Sequence, residues 1–233
     1  MKLEYKRVLL KLSGEMLGEN GRLFDHGVID HVARVLVQIA EKTQLGVVIG
    51  AGNIWRGRSG GQMDRVTADQ MGMLGTVINC LAMRDAVQRA GGKAVVMSAI
   101  EMPRVCEVFN AEKAREYMNK GYVTLFAGGS GNPFFSTDTA VVLRAVETGA
   151  DAILLAKNID GVYSADPAKD PTAVKFDRIS FEEVLARRLG VMDSTATSLA
   201  MDNHMPILVF ALKDPENIYR AVTGAEIGTL VSE

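Results

Sequence analysis

Six short apolar runs, at residues 7–12, 45–49, 94–97, 123–127, 152–156 and 207–212, are rich in Val, Ile and Leu and do not alternate with polar positions. A strand with one wet face alternates, so an unbroken apolar run must be covered on both faces, as in a parallel sheet layered between helices. Parallel neighbours cannot be joined by a tight hairpin, and a helix is expected in each connection. The intervening segments supply helices. Residues 28–42 carry Val28, Val32, Val35, Leu36 and Ile39 near the 3.6-residue period, and 65–89 reads as a second, longer helix. Ser180 and Glu183 form a capping box, and Asp214 stands before Pro215 as a helix start. The chain therefore reads as a doubly wound α/β fold, a three-layer sandwich with a mostly parallel central sheet.

The 233 residues suffice for one substantial core, and no repeat, low-complexity linker or composition break divides them. The one long irregular stretch, 158–178, is punctuated by Asp166-Pro167 and Asp170-Pro171. A single domain over 1–233 with two lobes, about 1–150 and 151–233, is expected. Net charge near −2 gives no electrostatic case for nucleic acid or an anionic membrane as main partner. The apolar run after the basic start is interrupted by Lys11, no stretch reaches a transmembrane length, and Cys80 and Cys106 form no paired motif. These features point to a cytoplasmic protein without a disulfide framework.

In open α/β sheets ligands bind beyond the C-terminal strand ends, and the ends here are rich in glycine. Gly52 to Ser59, GNIWRGRS, misses the phosphate-loop pattern by one residue, because Arg58 stands where lysine is required. Ile54, Trp55 and Arg56 are too bulky for a backbone curled round phosphates, and Gly60-Gly61 follows instead of a helix. The dinucleotide fingerprint also fails, since Trp55 occupies the place of its third glycine and Asp69 falls inside a helix. Two readings remain: a ligand-binding strand end with an arginine suited to phosphate, or an ordinary surface loop.

Other strand ends offer similar pairs of readings. Lys11 lies inside an apolar run, where it needs a counter-anion or must snorkel outward. FAGGSGNPFFSTDTA leads into a helix start with Ser136, Thr137 and Asp138, which form an anion site or a plain N-cap. Capping leaves Phe134-Phe135 unexplained. In the 65–89 helix, Gly72 and Gly75 beside Asp69, Met73 and Thr76 imply close approach by a ligand or by another element. Tyr163 after Asp160-Gly161 belongs to a plain turn or lies against a base. Lys11, the loops at 50–57 and 128–138 and Asn158 all follow strand C-termini and converge on one sheet edge.

KRVLLKLSGE, GAGNIWRGR, DRVTADQMGMLGTVINCLAMRDA, SGNPFFSTDTA, NIDGVYSADPAKDP and GVMDSTATSLA, in this order, resemble the bacterial UMP kinases of the amino acid kinase superfamily over essentially the whole chain. The resemblance implies transfer of phosphate from ATP to UMP with Mg²⁺, in pyrimidine nucleotide biosynthesis, with residues 1–150 as acceptor lobe and 151–233 as ATP lobe. Matching positions imply ATP contacts from Lys11, Leu12, Ser13, Gly14, Gly52, Arg56, Lys157, Tyr163 and Asp166. They imply UMP contacts from Ala51, Asp69, Ser130, Gly131, Asn132, Pro133, Phe134, Phe135, Ser136 and Thr137, with Asp69 on the ribose. Lys11 and Arg56 would be catalytic cations, and Asp138 and Asp193 would position Lys11 and the metal-phosphate cluster; no protein metal cage is implied. Ala51 stands where glycine is frequent, Trp55 where phenylalanine is frequent, and Lys157 where threonine is common. A homohexamer, GTP activation and UTP inhibition are also implied.

A phosphate acceptor with a second pKa near 6 is already nucleophilic at pH 7, so none of His26, His31 and His204, all outside the motifs, is needed as a base. The alternatives are a superfamily kinase acting on a carboxylate or carbamate, and a non-catalytic nucleotide sensor on the same fold.

Overall fold

The computed structural model describes residues 5–18, 22–56 and 62–233. The last part of the phosphate-loop-like stretch, with Arg58, lies outside the described residues. The strands are β1 (Arg7–Leu12), β2 (Gln44–Ile49), β3 (Lys93–Ser98), β4 (Glu107–Val108), β5 (Tyr122–Ala127), β6 (Ala152–Lys157), β7 (Val162–Tyr163), β8 (Lys175–Phe176), β9 (Arg178–Ser180), β10 (Ile207–Ala211) and β11 (Thr229–Ser232). The helices are α1 (His26–Ala40), α2 (Arg65–Arg89), α3 (Ala111–Asn119), α4 (Thr137–Thr148), α5 (Phe181–Ala186), α6 (Ser194–Asp202) and α7 (Glu216–Val222).

The described residues form a nine-stranded sheet in the order β4-β3-β5-β2-β1-β6-β10-β11-β9. Pairing is parallel from β4 through β10, and β11 is antiparallel to β10. The six apolar runs are the six longest parallel strands, each within a residue or two of its expected bounds. Alternation along β1 sends Val8, Leu10 and Leu12 into a core shared with α1, α2 and α7, and Leu9 into a second core with α3, α4 and α6. Full burial of such a side chain contributes about 1.5–3 kcal/mol, and both faces of β1 gain it. That is why the run shows no polar alternation. Lys11 has the parity of Leu9 and so faces the α4 side, at the strand's C-terminal end.

β1 leads to β2 on one flank, whereas β6, the other neighbour of β1, leads to β10 on the opposite flank. The crevice beyond the C-terminal ends of β1 and β6 is thus the topological switch point.

The segment read as irregular holds a two-stranded antiparallel ladder, β7 with β8. Two-residue strands are too short to show any period. α1 begins at His26, earlier than its apolar spacing, because the Asp25 carboxylate accepts from the Val28 amide at 3.1 Å. The Ser180 cap accepts from Glu183 N–H at 3.1 Å, and Asp214 accepts from Glu216 N–H at 3.0 Å, one residue beyond the expected start of α7.

Candidate active site

At the switch point Lys11 Nζ lies 2.7 Å from Asp138 Oδ1, with both side chains largely buried. The contact is a largely buried ion pair, and among the described residues no donor other than Lys11 reaches that oxygen. α4 delivers Asp138 because Ser136 caps the helix, its Oγ accepting from the amides of Asp138 and Thr139 at 3.0 and 3.1 Å. The cap explains why a carboxylate stands in the first turn: the unpaired amides and the helix dipole favour negative charge there.

Asp193 was expected, with Asp138, to position Lys11 and the metal-phosphate cluster. Its carboxylate caps α6, accepting from Ala196 N–H at 2.8 Å, and receives the hydroxyls of Ser136 and Thr139. Asp193 therefore fixes the start of α4, and Asp138 alone pairs with Lys11 among the described residues. Lys157, at the end of β6, donates to the Val191 carbonyl. Burial pushes its ammonium below the ordinary lysine range; Asp138 and Asp193 oppose that shift, and Lys11 adds to it.

Two clefts flank this centre. The first has about 650 Å³ between its walls and is lined by Ala51, Trp55, Arg65, Asp69, Gly72, Met73, Thr76, Gly129, Asn132, Phe135, Ser136 and Thr137. Trp55 is pinned by its indole N–H on the Ala68 carbonyl at 2.8 Å, and Thr76 Oγ1 accepts from Gly128 N–H at 2.8 Å, joining α2 to the loop after β5. The helix glycines divide between the two readings. A Cβ on Gly75 would lie 2.9 Å from Ala51 Cβ, so Gly75 serves packing, whereas Gly72 borders the cleft with only Trp55 near. Asp69 is largely buried, accepting from Arg65 Nε at 2.8 Å and from Phe134 N–H at 2.7 Å. Ser130, Gly131, Pro133 and Phe134 belong to the same loop but do not line the cleft; Phe134 is exposed at φ +71°.

The second cleft, about 930 Å³, is lined by Lys157, Tyr163 and Asp166 among the expected residues. Its other walls, Ile159 with Val209 and the Arg187, Arg188, Leu189, Gly190 and Val191 turn, were missed. That turn follows a short amphipathic helix and matches no phosphate or base motif, so no local pattern marks it. Tyr163 donates to Asp160 at 2.8 Å, which holds the Asp160 carboxyl below its usual range and raises the tyrosine.

Among the remaining expected residues, Leu12 is wholly buried in the core, so only its backbone reaches the crevice. Ser13 caps the short 3-10 turn Gly14–Leu17. A Cβ on Gly14 would meet the Gly50 carbonyl at 2.2 Å, so glycine there lets the ends of β1 and β2 touch. Buried Asn79 holds that same carbonyl at 2.7 Å and pairs reciprocally with Asn53. Arg56 is exposed and ion-paired with Glu15, a partner the sequence reading did not single out; Gly52 packs beside the Glu15 side chain.

No three His, Cys, Asp or Glu side chains gather as a metal cage among the described residues. Mg²⁺ commonly takes one or two carboxylates and completes its shell with phosphates and water. The Asp138 carboxylate, whose Oδ1 meets no donor but Lys11 among the described residues, suits that arrangement.

Comparison with known proteins shows that the sequence profile of the amino acid kinase family matches residues 6–211. The structure is similar to that of a UMP kinase from Bacillus anthracis, with TM-score 0.93 and 36% identity over 98% of this chain and 96% of that one. A UMP kinase from Ureaplasma parvum superposes with TM-score 0.94 and 35% identity, covering 99% and 100% of the two chains. A uridylate kinase from Archaeoglobus fulgidus is more distant, with TM-score 0.74 and 27% identity over 97% and 100%.

Proposed function

The chain belongs to the amino acid kinase family, and on that footing we propose that it transfers the γ-phosphoryl group of ATP to UMP, giving ADP and UDP. The observation that carries this reading is the Lys11–Asp138 pair with one cleft bordered by the neighbouring Ser136 and Thr137 and another by Lys157 on the adjacent strand, together with the likeness to two UMP kinases. In this reading residues 1–150 hold the acceptor in the first cleft, and 151–233 hold ATP in the second. Ala51, Asp69 and residues 130–137 serve UMP. Residues 11–14, Gly52, Arg56, Lys157, Tyr163 and Asp166 serve ATP.

In the transfer, a UMP phosphate oxygen bonds to the γ-phosphorus as its bond to the β,γ-bridging oxygen breaks. The acceptor oxygen carries no proton at neutral pH, so no base is required. The obstacle is repulsion between two polyanions, which Lys11, Arg56 and the α4 N-terminus offset. Mg²⁺ would be held on the phosphates beside Asp138 and supply further neutralisation. Asp193 keeps Ser136 and the α4 start in place while this occurs.

The same reading includes a cytoplasmic homohexamer activated by GTP and inhibited by UTP. Met71, Leu74 and Ile78, exposed along α2, support assembly with further copies. Among the described residues no helix is long and apolar enough to cross a membrane. The test is ADP release from ATP-Mg²⁺ with UMP, CMP, AMP, aspartate and acetylglutamate offered separately. Release with UMP is expected. Release only with a carboxylate acceptor, or ATP binding without turnover, would overturn the proposal.

A further inference from the structure

The surroundings of Lys157 differ from those of a surface lysine. It ends β6, the strand beside β1, two residues beyond Leu155, the ladder partner of Lys11. It also borders the second cleft, the one read above as the ATP side. An ammonium has three N–H donors. Among the described residues, the one hydrogen-bond acceptor on Lys157 is the Val191 carbonyl.

Charge counting shows what this adds. Lys11 is already matched by Asp138, and Asp193 brings a second negative charge on the hydroxyls of Ser136 and Thr139. Without Lys157 the cluster would carry a net negative charge where a phosphoryl group spreads its own over three oxygens. With Lys157 it is balanced, and two N–H groups are free to point at the anion.

We propose that Lys157 is a second catalytic cation, which forms with Lys11 a two-ammonium cradle for the phosphoryl group in transit. This rests on the kinase reading above and assigns Lys157 a task beyond contact with bound ATP. Lys11 grips the group from the α4 side and Lys157 from the side of the nucleotide donor.

The experiment compares wild type, Lys157→Met and Lys157→Cys in steady-state kinetics, with ATP affinity measured by calorimetry. Both substitutions are expected to lower kcat by about 10²–10³-fold, the usual loss for one transition-state donor, while ATP affinity falls less than about tenfold. Aminoethylation of the Lys157→Cys protein with 2-bromoethylamine restores an ammonium at nearly the same place and is expected to recover at least tenfold in kcat. Cys80 is wholly buried, and wild type carried through the same treatment controls for Cys106, which borders a surface groove. A Lys157→Met enzyme within about threefold of wild-type kcat would overturn the role. So would a folded Lys157→Cys protein whose lost turnover does not return on aminoethylation. A wild-type chain inert toward UMP would instead overturn the kinase reading itself.

Discussion

The Phe134 amide donates to Asp69 Oδ2 at 2.7 Å, tying the loop after β5 to a helix residue 65 positions earlier. The same oxygen accepts from Arg65, whose guanidinium lies 5.4 Å from the centre of the Phe134 ring. Phe134 sits at φ +71°, a region that non-glycine residues adopt only when surrounding contacts impose it. Asp69 thus shapes one wall of the first cleft as well as lining it.

Asp69→Asn keeps the size of the side chain but removes the charge that two donors share. Hydrogen bonds to charged groups are worth about 1.5–3 kcal/mol, so KM for UMP is expected to rise roughly tenfold or more, with ATP affinity unchanged. Initial-rate kinetics and ATP calorimetry check both halves. An unaltered KM for UMP would remove Asp69 from the acceptor site.

Lys11→Met is expected to lower kcat by about 10²–10³-fold, about 3–4 kcal/mol, because a transition-state cation is lost. It also leaves the largely buried Asp138 carboxylate unpaired. Breaking a buried pair costs roughly 3–5 kcal/mol, and the partial exposure here places the loss near the lower end. Lys11→Met with Asp138→Asn should therefore regain melting temperature but not turnover. If activity and stability returned together, Lys11 would be a structural cation only.

Gly14→Ala tests the touch between strand ends. Its Cβ would lie 2.2 Å from the Gly50 carbonyl and 2.5 Å from Asn53 Oδ1, whereas a Cβ on Gly190 meets nothing within 4 Å. Overpacking of this kind costs about 1–3 kcal/mol. Chemical denaturation should show a lower midpoint for Gly14→Ala and little change for Gly190→Ala. Equal midpoints would mean that the β1 and β2 ends can part without penalty.

The parallel sheet was legible because burial on both faces removes polar alternation, and the convergence of Lys11 with the 50s and 130s loops followed from strand direction alone. Without the resemblance, which implied its place beside Lys11, Asp138 could be read no further than a helix start near a lysine. Which carboxylate pairs depends on the angle at which α4 crosses the sheet. The Arg187 to Val191 wall and the Glu15–Arg56 pair were invisible for a related reason. They arise from tertiary approach of segments whose local sequence is ordinary for a surface. β7, β8 and β9 are two or three residues long, and β11 has four, so neither period nor length marks them.

Cys80 lies wholly buried on α2, and burial pushes its thiol up to about 12. A thiol in an unfolded chain titrates near 8.5. The folded state therefore keeps its proton where the unfolded state loses it, and stability from this group is complete below about pH 8.5 and lost as pH rises toward 12. The slope for one such group is at most about 1.4 kcal/mol per pH unit. Tyr117 is also pushed up to about 12, chiefly by its hydrogen bond to Glu107, and adds a similar slope above pH 10. Because Tyr117 remains in both proteins, comparing wild type with Cys80→Ala isolates the thiol. Urea midpoints at pH 8, 9 and 10 should fall more steeply for wild type than for Cys80→Ala. Parallel slopes would show that the thiol reaches solvent before the chain unfolds.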